Sequence, residues 1–147
     1  MDSDRIRQTI RDNAAEIVRL HTRIHETYAL RRLSPEKWSE WEYACAEFHG
    51  RIDSLGFPGG FEGAFERILA GDPTAMEAAV CFLEVRPYFF RSGYMFKDIL
   101  RKCKRAPLSR EQSARLEAVM AGLAEWRRRK NSKAEVRTDP GISRPQV

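Results

Sequence analysis

A chain of 147 residues, 42% of them hydrophobic and 32% charged, is one domain or one domain with a tail, and is long enough to bury a core. No apolar run approaches the roughly 20 residues of a membrane span, and the charged start MDSDRIRQTIRDN lacks a secretory apolar core. The net charge of +5 is unevenly distributed: residues 1–85 hold 10 basic and 15 acidic residues, a balance of −5, whereas residues 86–137 hold 15 and 5, a balance of +10. Polarity of this kind steers charged partners and says little about fold. Three cysteines, Cys45, Cys81 and Cys103, are an odd number at unrelated spacings, which suits reduced thiols in a cytoplasmic protein.

In chain order the signals are helical. Asp2 or Ser3 can cap a first helix reaching about Arg32, with Ile6, Ile10, Ala14, Ile17, Leu20, Ile24 and Tyr28 at helical spacing. Ser34-Pro35 then supplies an N-cap followed by proline at the first helical position, where no N–H is needed. The second helix carries a stripe of Trp38, Trp41, Cys45, Phe48, Ile52 and Leu55, as expected of an antiparallel neighbour, and Gly56 stops it. Residues 1–55 therefore read as a helical hairpin.

The segment GFPGGFEG, 56–63, has four glycines and a proline in eight residues and reads as a connector. A phosphate-binding loop is disfavoured, because no strand precedes it and no Gly-Lys-Ser/Thr follows. Residues 61–130 read as a layer of three or four shorter helices: Phe61–Ala70; a helix opened by Asp72-Pro73 with Met76, Ala79, Val80 and Leu83 inward; a helix capped by Ser92 and running from Gly93 to about Arg105; and a last helix opened by the capping box Ser109–Gln112. That last helix carries Leu116, Val119, Met120 and Leu123 and ends at the run RRRK, 127–130, whose cations favour a helix C-terminus. The polar stretch 131–147 reads as a disordered tail. The fold class is all-α, with a single domain over 1–130.

The stretch 86–105 holds five aromatic and seven basic residues against one acid, Asp98. Tyr88, Phe89 and Phe90 follow Pro87 at a turn, where they can fill a gap between helices. Lys97, Arg101, Lys102, Lys104 and Arg105 form the wet face of an amphipathic helix. Nucleic-acid binding would need aromatics exposed beside these cations, and no helix-turn-helix, RNA-recognition or zinc-finger signature is present.

His21 and His25 are four apart on the first helix, and Cys45 and His49 are four apart on the second. Antiparallel pairing about Leu33 brings the two pairs to one level, so a tetrahedral zinc site is geometrically conceivable. Cys45 continues the apolar stripe, however, and the simpler reading is histidines flanking a core, with no metal and no cofactor. Ser92 and Ser109 read as caps, and Glu40/Glu47 and Glu62/Glu66 as solvated faces. No catalytic constellation stands out.

The phrases FLEVRPYFFRSGYMFKDILRKCKR, 82–105, and EFHGRIDSLGFPGG, 47–60, resemble those of small uncharacterised bacterial helical proteins of HEAT-like style, of the kind that serve as immunity proteins for toxins. The resemblance implies a non-enzymatic protein-binding module, with no membrane partner and no small-molecule ligand expected. The candidate contact surface is the stripe Glu36, Glu40, Tyr43 and Glu47, with Glu42 beside it, which could enter a basic site on a toxin. The alternative is nucleic-acid binding through Arg91, Lys97, Arg101, Lys102, Lys104 and Arg105, joined by the run at 127–130.

Overall fold

The computed structural model describes residues 2–137, the last three of them as backbone only. It contains six helices and, among the described residues, no strand: α1 Ser3–Leu30, α2 Pro35–Gly56, α3 Ala64–Leu69, α4 Pro73–Val85, α5 Ser92–Arg105 and α6 Arg110–Arg137. None of them is long and apolar enough to cross a membrane.

Local chemistry sets most of the boundaries. The Asp2 side chain accepts from the Arg5 N–H, Ser34 from Lys37 and Asp72 from Ala75, each satisfying a backbone donor that the first helical turn leaves unpaired. At the start of α6, Gln112 N–H donates to the Ser109 hydroxyl and Ser109 N–H donates to the Gln112 side chain, a complete capping box. Ser92 behaves differently from the sequence expectation. Its hydroxyl accepts from the Phe89 N–H at 3.0 Å and so tightens the preceding corner; the N-cap of α5 is Arg91, which makes no side-chain cap. The last helix also passes its expected end at Lys130 and continues to Arg137. Residues 131–137 contain no Gly or Pro and are rich in helix-forming Lys, Ala, Glu and Arg. The remainder of the expected tail, 138–147, lies outside the described residues.

The helix α4 is the axis of the molecule. Nine consecutive residues, Ala75 to Leu83, are buried, because α1, α3, α5 and α6 all pack on it. The sequence pattern suggested one inward face; the structure encloses the helix on every side, as expected of a helix apolar all round. Ala75, Ala78 and Ala79 let neighbouring backbones approach, while Phe82 meets Phe57 at 6.1 Å between ring centroids. The connector after α2 is folded back by Asp53, whose carboxylate accepts from the Glu62 N–H at 2.7 Å, and by Arg67, which donates to the Gly60 carbonyl at 2.7 Å. This seats Phe57 in the core with no exposed surface.

Gly71 ends the α3 region at φ +82°, and a Cβ there would lie 2.9 Å from Pro107 Cγ. Gly71→Ala is therefore expected to lose about 1–3 kcal/mol of stability through backbone strain alone, with the clash adding to it. Urea titration measures this, and an unchanged midpoint would contradict it.

A charged cluster is built into this apolar packing. Arg115 of α6 donates to Glu77 at 2.6 Å and to Glu84 at 2.6 Å, both on α4. Arg7 of α1 reaches Glu84 at 3.1 Å, and Ser3 donates to Glu77 at 2.7 Å. Three helices are thus joined at one polar node. Burial opposes ionisation of Glu77, but hydrogen bonds from Arg115, Ser3 and Gln112 prevail and hold its carboxyl below the usual range; Glu84 is lowered in the same way by Arg115 and Arg7.

Candidate binding surfaces

The helices α1 and α2 form the expected antiparallel hairpin, with Glu16 against Arg51, His21 against Phe48 and Tyr28 against Trp41. The core covers only part of it. Buried residues of α1 stop at Leu20, and in α2 the buried residues are Ala44, Phe48 and Gly56. Ile24 still packs on the core; beyond it the distal part, residues 25–43, stands off the body as an arm. This is why Tyr28 and Trp38, whose spacing suggests core, are instead exposed. They build a local cluster: Trp41 lies 5.8 Å from Tyr28 and 5.2 Å from Trp38, and the Arg31 guanidinium sits 3.5 Å over Tyr28.

The acidic stripe lies on this arm. Glu36, Glu40, Glu42 and Tyr43 are exposed, Tyr43 to 61%. Tyr43 lines a shallow cleft of about 510 Å³ with Arg23, Pro35, Glu36, Ser39 and Glu40. Glu47 is set apart from the others: it is half-buried and 3.6 Å from both Arg23 and Arg51, so it ties the hairpin together. Because Arg23 is engaged by Glu47 and lies over the Tyr43 ring at 5.7 Å, and Glu40 pairs with Lys37 at 3.3 Å, the open charge at the cleft is that of Glu36. The cleft is suited to a basic side chain.

Compared with known families, curated proteins and solved structures, the chain has no significant match in any of the three.

The aromatic stretch after α4 does not go wholly into the core. Phe89 and Phe96 are buried, but Tyr88 is 89% exposed, Tyr94 70%, and Phe90 is half exposed. The reason is the corner itself: Arg86 and Arg91 adopt left-handed backbone at φ 50° and 67°, which turns Phe89 inward and its two neighbours outward. The exposed rings face α6 across a groove of about 960 Å³, lined among others by Arg86, Tyr88, Phe90, Tyr94, Lys97 and Trp126. Arg91 and Arg127 complete its cations, and among the described residues no carboxylate lines it. The Arg86 guanidinium lies 5.4 Å from the Phe96 ring and 5.1 Å from Trp126; Arg91 lies 5.4 Å from Phe90. On the far wall Phe90 stacks on His21 at 4.6 Å. Burial, and the nearby His25, push the His21 imidazole below its ordinary pKa, so at neutral pH the positive charge of the groove comes from arginine and lysine.

Of the expected basic set, Arg91 and Lys97 reach this groove. Arg101 pairs with Asp98 at 3.6 Å, Lys102 lies over Phe65 on the α3 side, and Lys104 and Arg105 are exposed near the far end of α5. Arg86 and Tyr94, which the sequence allows to join the basic face, also line the groove; Tyr88 and Trp126 emerge as site residues only in the structure, although Trp126 continues the spacing of Leu116, Val119 and Leu123.

The histidine and cysteine set is dispersed into packing. His21 contacts His25, Phe48 and Phe90, and His49 lies edge-on to Phe48. Among the described residues no three His, Cys, Asp or Glu side chains are grouped to hold a metal ion. Cys81 and Cys103 are buried, and burial pushes the Cys103 thiol up to about 12, which leaves it unreactive in the folded protein.

Proposed function

We propose that the protein is a non-enzymatic binding module that docks a protein partner on the distal arm of its α1–α2 hairpin, acting as an inhibitor or immunity protein toward a bacterial toxin. One observation carries this reading. Of the eleven large apolar side chains exposed among the described residues, five (Tyr28, Leu30, Leu33, Trp38 and Tyr43) lie on the arm, beyond the reach of the core. A cluster of exposed apolar side chains with a charged border is characteristic of a docking surface, and Tyr and Trp are the residues that most often dominate binding energy. Glu36, Glu40 and Glu42 favour a partner with a basic face, such as the substrate site of an enzyme acting on nucleic acid, and they speed its capture.

The test begins with nuclease-treated lysate of the source organism. The wild-type chain is expected to retain one stoichiometric partner, and to protect cells that co-express it if the partner is toxic. Tyr43→Ala should weaken the complex roughly 30-fold, as a hot-spot truncation does, and Glu40→Lys should slow association. Neither side chain supports the core, so the melting temperature should stay put. Unchanged affinity in both variants would remove the arm from consideration.

A further inference from the structure

We infer that the groove between the α4–α5 corner and α6 is a second binding site, independent of the arm, and that it takes single-stranded nucleic acid. Five more of the eleven exposed large apolar side chains (Val18, Tyr88, Phe90, Tyr94 and Trp126) border this groove. Four cations, Arg86, Arg91, Lys97 and Arg127, line it, without a single carboxylate among the described residues. The charge complement of such a groove is a polyanion.

The arrangement of the cations selects among polyanions. An acidic peptide needs free guanidinium forks for its carboxylates. Here Arg86 and Arg91 lie against rings, Arg86 between Phe96 and Trp126 and Arg91 beside Phe90. Aromatic rings and guanidinium groups lie side by side in the groove, and these are the two kinds of surface on which unpaired bases stack. Lys97 and Arg127 remain available for phosphates. Duplex is disfavoured because its bases are already stacked on one another, so they cannot use the rings.

The backbone supports the assignment. Arg86 and Arg91 hold left-handed conformations that glycine adopts at no steric cost, so arginine at these two positions carries a conformational penalty. That penalty provides a variant whose effects on folding and on binding have opposite signs.

The experiment is fluorescence anisotropy of the full chain with a labelled oligothymidylate of about ten nucleotides, within the site sizes such surfaces cover. Binding should fall with salt at a log–log slope between about −1.4, for Lys97 and Arg127 alone, and about −2.8, for all four cations, from about 0.7 per phosphate neutralised. Tyr88→Ala and Tyr94→Ala should each weaken it roughly tenfold. Arg91→Gly should weaken binding while keeping or raising the melting temperature. The double variant Arg101→Ala/Lys104→Ala, at the far end of α5, should change little. No binding at low salt would overturn the proposal. So would binding indifferent to both tyrosines, equal affinity for a duplex, or displacement by polyglutamate as readily as by unlabelled oligonucleotide, the last of which would mark an acidic-peptide site.

Discussion

Arg115→Ala is expected to lower the unfolding free energy by about 3–5 kcal/mol, the cost of breaking a buried ion pair by removing one partner. That is a large share of the 5–15 kcal/mol that typically separates folded from unfolded chains. The guanidinium is the shared donor to Glu77 and Glu84, and the Glu77 side chain is only 7% exposed. Removing it leaves Glu77 buried with neutral donors alone, Ser3, Gln112 and the Cys81 thiol. Acid denaturation separates this mechanism from simple loss of packing. In the wild type both carboxyls have folded-state pKa values below about 4.5, so their contribution is complete above that pH and is lost as pH falls through the folded-state values. In the variant, burial without a cation raises the Glu77 pKa, and protonation then relieves the unpaired charge. The stability gap between the two proteins should therefore narrow on acidification. A gap constant from pH 7 to pH 4 would show that the cluster acts through shape alone. Converting the whole cluster to apolar residues of similar volume should cost far less than the single substitution.

Phe82→Ala should cost about 3–5 kcal/mol, and for a different reason. Phe82 is 1% exposed, sits in the enclosed run of α4 and packs on Phe57, which the connector places. Truncation opens a cavity where α4 meets the loop. Thermal unfolding should move down by roughly 10 °C, from the size scaling of the entropy of unfolding. Phe82→Leu, which keeps most of the volume, should lose much less. If alanine and leucine behaved alike, the ring contact would not be what holds the connector to α4.

Features governed by neighbours in sequence could be read before the structure. Ser34-Pro35, Asp72-Pro73 and Ser109–Gln112 act within four residues, so their caps follow from residue type alone. The hairpin register followed from the turn at Leu33. What escaped reading depends on distant partners. Glu77 lies on α4 among alanines, and nothing nearby announces a buried carboxylate whose partner is 38 residues away. Tyr28 and Trp38 keep the spacing of a core stripe, but the hairpin outruns the body that would cover them. The corner at 86–91 turns on positive φ at two arginines, a conformation that residue type does not signal. Tyr88 and Phe90 accordingly face outward, where the sequence pattern suggested plugs.

The ion cluster also sets a mechanical relation within the molecule. Arg115 fixes the root of α6 to α4, and Trp126, one wall of the groove, stands eleven residues further along the same helix, a lever of about 16 Å at 1.5 Å per residue. A tilt of about 10° at that fulcrum would carry the indole about 3 Å, comparable to the spacing of a stacked ring. The width of the groove is thus governed as much by two carboxylates on α4, neither of which lines it, as by the residues that do.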